Sequence, residues 1–569
     1  MLDEYDLFGP PGCGKTTFLA TSSVPKAVEK YGPEKVMITS FTRTAAREIA
    51  TKPSKTTGMT VDVPAKNIGT LHSICFRALE NPIITEVKCI KEWNESHSNY
   101  LITGKTVDVV DECNNEESGA LRGDMLLNTI NIKRNKLIPE SMWTNDLRRF
   151  KKAWDDFKTQ TNSIDFTGLI EKSLAELPYA PGNPEMMFVD EAQDFTKLQL
   201  SLVRSWGINM DRIMLVGDDD QCIYRFSGAS PEAFLRNDVP EDRKMILAQS
   251  YRVPKAVHER SSVLLSRIKN RQVKQYLPRT ELFSKDAAKG SVVDFDDATW
   301  NSPAELVDIV KDRISKETHA SRAKVMIIAS CSYMLDPIRA VLLENGIPFH
   351  NPYRMSGKGR GWNPLMAGDG NINTGRDILE AFIECGADEP YWNIPQFYTW
   401  AKHIKTGADG WLSGRKQTSL DFLKTAIEQS RPGLHTTRDI IGDLLSVSAI
   451  DKALNRDLSW FEENLMAGKV KSLAYPINTY KKFGMKAISA EPSVIIGTIH
   501  SVKGGEAESV ILFPDLSWKA NAEKETKEGY ESLNRLFYVG MTRAYDELIL
   551  CRPSSKSPNI ESRLYMELK

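Results

Sequence analysis

The 569-residue sequence is short of the features that assign a chain quickly. It has no run approaching the roughly 18 apolar residues that a membrane span requires, so membrane insertion is not expected. Near the start there is no basic flank followed by an apolar core, and a secretory leader is not expected either. The expected compartment is therefore the cytoplasm, nucleoid-associated or, for a viral chain, that of the host. The eight cysteines, from Cys13 to Cys551, form no CxxC pair and no Cys/His spacing of the zinc type. That argues against a disulfide framework or a structural metal and leaves them as reduced, mostly buried thiols. Excess charge of either sign is also absent, with 74 basic against 75 acidic residues and a net charge of -1. Such neutrality says nothing about a local basic groove. No fixed-period repeat and no low-complexity tract is visible, so a solenoid is not favoured.

The sequence does contain short apolar runs separated by helical patterns. Val36 to Ile38, Met187 to Val189, Ile213 to Val216, Val325 to Ile328, Val494 to Ile496 and Val510 to Phe513 read as buried strands. Their alternation with helices predicts parallel sheets with crossover helices, one sheet toward each end of the chain. Between them, about 74 to 164 is rich in charge and helix formers. The stretch from about 351 to 491 opens with the basic, glycine-rich Arg354 to Gly361 and then holds Trp392, Trp400 and Trp411. Both read as insertions.

Gly9-Pro10-Pro11-Gly12-Cys13-Gly14-Lys15-Thr16, followed by Thr17, fits the GxxxxGK[ST] spacing ahead of a potential helix. The glycines let backbone N–H groups turn toward phosphates, the helix adds its positive end, Lys15 reaches the outer phosphates, and Thr16 is a Mg²⁺ ligand. The alternative is a plain Gly/Pro surface turn. A nucleotide site of this type needs an acidic pair at the end of a buried strand, and Met187-Phe188-Val189-Asp190-Glu191 provides one. Asp190 is expected in the Mg²⁺ shell and Glu191 beside the attacking water, which makes the site hydrolytic rather than that of a phosphate-transfer kinase. Otherwise these acids merely cap the next helix.

Further stretches make a family resemblance specific. Val189 to Asp194, then Leu215-Val216-Gly217-Asp218-Asp219-Asp220-Gln221-Cys222-Ile223-Tyr224, resemble consecutive motifs of the UvrD, Rep and PcrA helicases of superfamily 1A. Ser40-Phe41-Thr42-Arg43-Thr44-Ala45-Ala46 and Gly69-Thr70-Leu71-His72-Ser73 are similar to that family's DNA-contacting motifs. Gln249-Ser250-Tyr251-Arg252, Gly497 to Glu506 and Tyr538 to Ala544 continue the series in the family's order.

The resemblance implies an α/β fold of two RecA-like P-loop NTPase motor domains with parallel sheets, each with a largely helical inserted subdomain. The expected boundaries are 1–73 with 165–255 for motor 1A and 74–164 for insertion 1B, then 256–350 with 492–569 for motor 2A and 351–491 for insertion 2B. It implies Gln221 as a sensor of the terminal phosphate and of water, with Arg252 and Arg543 reaching that phosphate from two sides. Tyr251 stacks on adenine and Glu506 lies near the nucleotide sugar. Thr42, His72, Thr498 and His500 contact a DNA strand, and Phe226 stacks on a base where relatives have tryptophan. The alternatives are a surface ion pair for either arginine, a packed core position for Tyr251 or Phe226, a solvated acid for Glu506 and a structural role for either histidine. The basic Arg148, Arg149, Lys151 and Lys152 fit a solvated helix face better than a duplex contact.

The implied activity is an ATP-dependent, Mg²⁺-requiring DNA helicase. It would move 3′ to 5′ on single-stranded DNA and unwind at single/double-strand junctions, in replication or repair. A translocase or nucleotide-switched subunit of a repair or defence complex is the alternative, and an RNA motor is a further one. Three departures from the family stand out. The upstream glutamine that reads adenine has no room before Gly9, Ser227 replaces a common arginine, and little chain follows Arg543, so a C-terminal partner-docking extension is not expected.

Overall fold

The computed structural model describes residues 2–42, 45–47, 49, 62–103, 121–236, 238–279, 288–316, 322–355, 361–366, 374–384, 391–428, 438–555 and 557–558. Arg43 and Thr44 of one motif and 356–360 of the basic loop lie outside them. The strands, in chain order, are β1 (Glu4–Phe8), β2 (Val36–Ser40), β3 (Ile68–Gly69), β4 (Ile83–Ile84), β5 (Ser163–Ile164), β6 (Met186–Asp190), β7 (Arg212–Gly217) and β8 (Lys244–Ile246). They continue with β9 (Ser291–Phe295), β10 (Ala323–Ala329), β11 (Phe349–Met355), β12 (Gly361–Trp362), β13 (Val494–Thr498), β14 (Ala507–Leu512) and β15 (Ala544–Cys551). Each apolar run read as a strand falls on one of them, except that Phe513 lies just past the end of β14.

The chain divides into two compact units, Met1–Thr299 with Ile328–Met334 and Gly497–Lys569, and Trp300–Ile327 with Leu335–Ile496. The first unit holds a six-stranded sheet of order β3-β2-β6-β7-β1-β8. The pairings β1–β7, β1–β8, β2–β3, β2–β6 and β6–β7 are all parallel. Its inner strands β2 and β6 are buried on both faces and largely apolar because both faces are covered. Met37, Met187, Val189 and Leu215 pack on one side with the helices Leu71–Ala78, Phe166–Glu176 and Lys197–Gly207. Val36, Ile38, Phe188 and Val216 pack on the other with Leu19, Val24 and Ala27. In the same unit β14 pairs with β15 and β15 with β9, again parallel. The second unit holds β11 parallel to β13 and antiparallel to β12. Strands β10 and β13 run from it into the first unit.

The described parts of 74–164 and 351–491 are mainly helical, including Arg122–Asn135, Asn145–Gln160, Gly375–Ile383, Ile394–Ala401 and Ala467–Phe483. Among the described residues no helix is long and apolar enough to cross a membrane. Cys13, Cys75, Cys89, Cys222 and Cys551 are free and buried, whereas Cys331 is disulfide-bonded and departs from the expected reduced state.

A candidate nucleotide site and strand grooves

In a parallel sheet with crossover helices, ligands collect outside the carboxyl ends of the strands. Gly9 follows β1 directly, Asp190 ends β6, and Gly217 ends β7 just before Asp218. The loop between β1 and the helix Lys15–Phe18 needs glycine in two places, because Gly12 (φ 72°) and Gly14 (φ 80°) adopt left-handed backbone. A Cβ on Gly12 would stand 2.3 Å from the Arg252 Cβ. The segment bearing Tyr251 and Arg252 is bonded to this loop, since the Tyr251 N–H donates to the Gly12 carbonyl at 2.9 Å and the Ser250 hydroxyl to the Pro11 carbonyl at 2.7 Å.

Lys15 is 9% exposed and its Nζ donates to the Gly9 carbonyl at 2.8 Å. Burial opposes its charge, but Cys13, Asp218, Glu191 and Asp190 outweigh that and hold its pKa above the ordinary value. The Thr16 hydroxyl donates to Asp190 Oδ2 at 3.0 Å, while the buried Asp190 Oδ1 has no hydrogen-bond partner. Burial, with Glu191 adding to it against Lys15, pushes Asp190 up to about 7. A part-buried hydroxyl–carboxylate pair with one oxygen to spare is a donor set that fits a hard divalent cation.

Glu191 behaves oppositely. Burial opposes its charge, yet Lys503, Lys15, a hydrogen bond from Gln193 and Arg543 overcome it and hold the carboxyl below its usual range. It is also one of the few non-glycine residues with positive φ, at 54°. Backbone held in that region persists only where its surroundings enforce it, which is common at functional sites. Gln221 Oε1 accepts from Arg543 Nη2 at 3.1 Å, and the fully buried Arg543 also donates to the Val539 and Gly505 carbonyls. Arg252 Nε donates to Glu506 Oε2 at 2.6 Å. Lys15, Thr16, Asp190, Glu191, Gln221, Arg252, Glu506 and Arg543 thus form one connected neighbourhood. Tyr251 borders it with its side chain half exposed, at 52%.

The two model domains that match this pattern bracket the chain. One, the UvrD/REP helicase N-terminal domain, matches residues 7–240, and the other, the UvrD-like helicase C-terminal domain, matches residues 471–555. The chain belongs to the UvrD/Rep/PcrA family of superfamily 1 helicases. It is similar to a protein of Bacillus subtilis named putative ATP-dependent DNA helicase YjcD, at 24% identity over 46% of this chain and 36% of that protein. A probable DNA helicase of Mycoplasma pneumoniae is 25% identical over 47% of this chain and 54% of its own length. The probable DNA helicase II homolog of Rickettsia conorii is 21% identical over 97% of this chain and 90% of that protein. The chain therefore spans about a third to a half of the first two relatives it matches.

In this UvrD-type chain three of the residues singled out for strand contact, Phe226, His500 and His72, line two grooves of the first unit. One, of about 550 Å³, is lined by Phe226, His500, Arg225, Lys136 and Lys519. Phe226 is half-buried with its ring edge-on to His500 at 5.3 Å. His500 Nε2 lies 3.2 Å from the Ile223 carbonyl, and burial lowers its pKa to about 4, so the ring is neutral and serves partly as a structural link. The other groove, of about 810 Å³, is lined by His72, Phe166, Arg47, Lys66 and Arg77. Burial likewise lowers His72 to about 4, against a hydrogen bond to the Phe166 backbone. Thr42 is exposed and accepts from the Ala45 N–H, and Thr498 is buried and accepts from the Ser501 N–H. Neither lines these grooves. Arg148 and Lys151 are engaged locally by Asn145, Glu140 and Asp155.

Sequence reasoning missed several members. Lys503 donates to Asp194 Oδ1 at 2.6 Å and to the Gln221 carbonyl at 2.9 Å, joining two motifs far apart in the chain. It sat inside a quoted motif, and only the pairing of a lone lysine with a buried acid would have marked it. Phe166, 39% exposed and edge-on to His72 at 6.2 Å, had no such signal. Arg271, Lys274 and Tyr276 lie outside every motif, yet they surround Asp218, Asp219 and Asp220.

Proposed function

We propose that the chain is an ATP-driven DNA helicase that translocates on single-stranded DNA in the 3′ to 5′ direction and unwinds duplex at single/double-strand junctions. The observation carrying this is the convergence of Lys15, Glu191, Gln221, Arg252 and Arg543 around one phosphate loop. In this reading the loop's N–H groups and Lys15 hold the outer phosphates of ATP, and Tyr251 offers its exposed ring to the base. Glu191, kept ionised, accepts the proton of the attacking water while Gln221 orients it. Arg252 and Arg543 neutralise charge that grows on the terminal phosphoryl group. Thr16 and Asp190 would hold Mg²⁺, which neutralises phosphate charge when bound. The division into motors 1A and 2A with insertions 1B and 2B is part of the same proposal. So are the strand contacts at Phe226, His72, Thr42, Thr498 and His500. The direction rests on the family resemblance alone.

The test is ATP hydrolysis with and without single-stranded DNA, followed by unwinding of duplexes tailed on either end. Stimulated hydrolysis with unwinding from a 3′ tail is expected. Stimulation without unwinding would favour a translocase, a larger response to RNA than to DNA an RNA motor, and no stimulation by either would overturn the reading.

A further inference from the structure

A carboxamide has a donor end and an acceptor end of nearly equal shape, so its partners alone decide which end faces a phosphate. Gln221 is tied at both. Its Nε2 donates to Asp218 Oδ2 at 2.8 Å, and its Oε1 accepts from Arg543 Nη2 at 3.1 Å. The first contact requires Asp218 Oδ2 to accept, which only the ionised form guarantees, although the residue is fully buried beside Asp219 and Asp220. Two groups outside every motif meet that requirement. The Tyr276 hydroxyl donates to Asp218 Oδ1 at 2.6 Å, and Lys274 Nζ donates to the same oxygen at 3.1 Å. The Lys274 side chain is itself wholly buried and also pairs with Asp219 and Asp220. Arg271 holds Asp220 at 2.7 Å, and the Gln272 N–H donates to Asp219 Oδ2 at 3.0 Å. One short segment, Arg271 to Tyr276, thereby sets two cations, a hydroxyl and a backbone N–H against three consecutive carboxylates.

We propose that Tyr276 and Lys274 are positioning residues that hold Asp218 ionised and so fix the Gln221 amide with its oxygen toward Arg543. This rests on the ATP-hydrolysis reading above. A flipped amide would set N–H against the Arg543 guanidinium, donor against donor, and both groups would lose their preset aim at the phosphoryl group. The effect belongs to the transition state rather than to ATP binding, because the tied groups serve charge that develops during transfer.

Lys274→Met would leave three buried acids short of a cation and risks unfolding. The decisive variant is therefore Tyr276→Phe in the full chain, which removes one hydroxyl and leaves every charge in place. With saturating oligo-dT and MgATP, kcat is expected to fall roughly tenfold while KM for ATP stays within about twofold. If Tyr276 acts through Gln221, its substitution changes the residual turnover of a Gln221→Ala protein by less than about twofold. A wild-type kcat in Tyr276→Phe, a fall confined to KM, or an equal loss in the Gln221→Ala background would overturn the proposal. Absence of ATP hydrolysis in the wild-type chain would instead remove the functional reading, and this inference with it.

Discussion

The phosphate-loop neighbourhood of the first unit and the aromatic core of the second are both deeply buried, yet they are built on opposite principles. In the second unit Trp392, Trp400, Trp411 and Trp460 cluster with Phe382, Phe397 and Phe461. Phe382 and Phe461 stack at 4.2 Å, and Trp400 meets Trp392 at 4.9 Å and Phe397 at 5.0 Å. Three of the indole N–H groups are satisfied by carbonyls, those of Phe382, Ala401 and Asp409. Such a core gains from area and ring geometry, with the Arg456 guanidinium lying over the Trp392 ring at 3.8 Å. The nucleotide neighbourhood instead buries Lys15, Asp190, Asp218 and Arg543 beside the partly buried Glu191, and leaves Asp190 Oδ1 without a partner. Groups kept ready for a ligand are groups not fully spent on folding. Removing a side chain should therefore cost activity at one place and stability at the other.

Lys15→Ala is the sharpest way to break that contrast. It is expected to reduce ATP turnover by roughly a hundredfold to a thousandfold, in line with losing one preset charge stabiliser. Thermal melting should fall far less than turnover, because Lys15, although buried and set among acids, makes its hydrogen bonds in the protein alone to the Gly9 and Pro10 carbonyls. Normal turnover, or a large drop in melting temperature, would erase the distinction. Trp400→Ala is the converse. Deleting a wholly buried indole costs about 3–5 kcal/mol, read by denaturant unfolding of the full chain. Trp400→Phe should cost much less, since it keeps most of the ring contacts and removes the one indole N–H of this cluster that lacks a partner. Equal losses for both variants would mean that ring packing is not what holds this core.

The same contrast explains what could be read from the amino-acid sequence. Lys15, Thr16, Asp190 and Glu191 could be picked out as candidates because phosphate chemistry demands fixed residue types at short spacings, and the buried strands of the first sheet because two-sided burial leaves uninterrupted apolar runs. Arg252 and Arg543 were legible only through ordered motifs, since a lone arginine has no local signature. Lys274, Tyr276 and Phe166 were not legible at all. They are brought to Asp218 or to His72 by tertiary folding, across sequence separations that no local pattern encodes. The tryptophans of the second unit were visible as residues but not as a core, because aromatic packing is set by shape rather than by spacing.

Asp6 tests the contrast at its smallest scale, within the first unit on the strand that leads into the phosphate loop. It lies on β1, only 1% exposed, and neither carboxylate oxygen has a hydrogen-bond partner. Burial, reinforced by Glu4 and opposed by Arg204, Lys244 and Arg236, raises its pKa from 3.8 to about 7. Between those values the folded protein keeps a proton that the unfolded chain has released, so stability falls as pH rises through the window and the full cost is present above it. Asp6→Asn removes the titration and should stabilise the fold by about 1–3 kcal/mol near pH 8, with little gain near pH 4. Other buried acids titrate in both proteins, so the informative quantity is the gap between variant and wild type at each pH. A gap that does not widen with pH would mean that Asp6 is not held protonated by its surroundings. It would also mean that stored cost in the first unit is confined to the nucleotide neighbourhood.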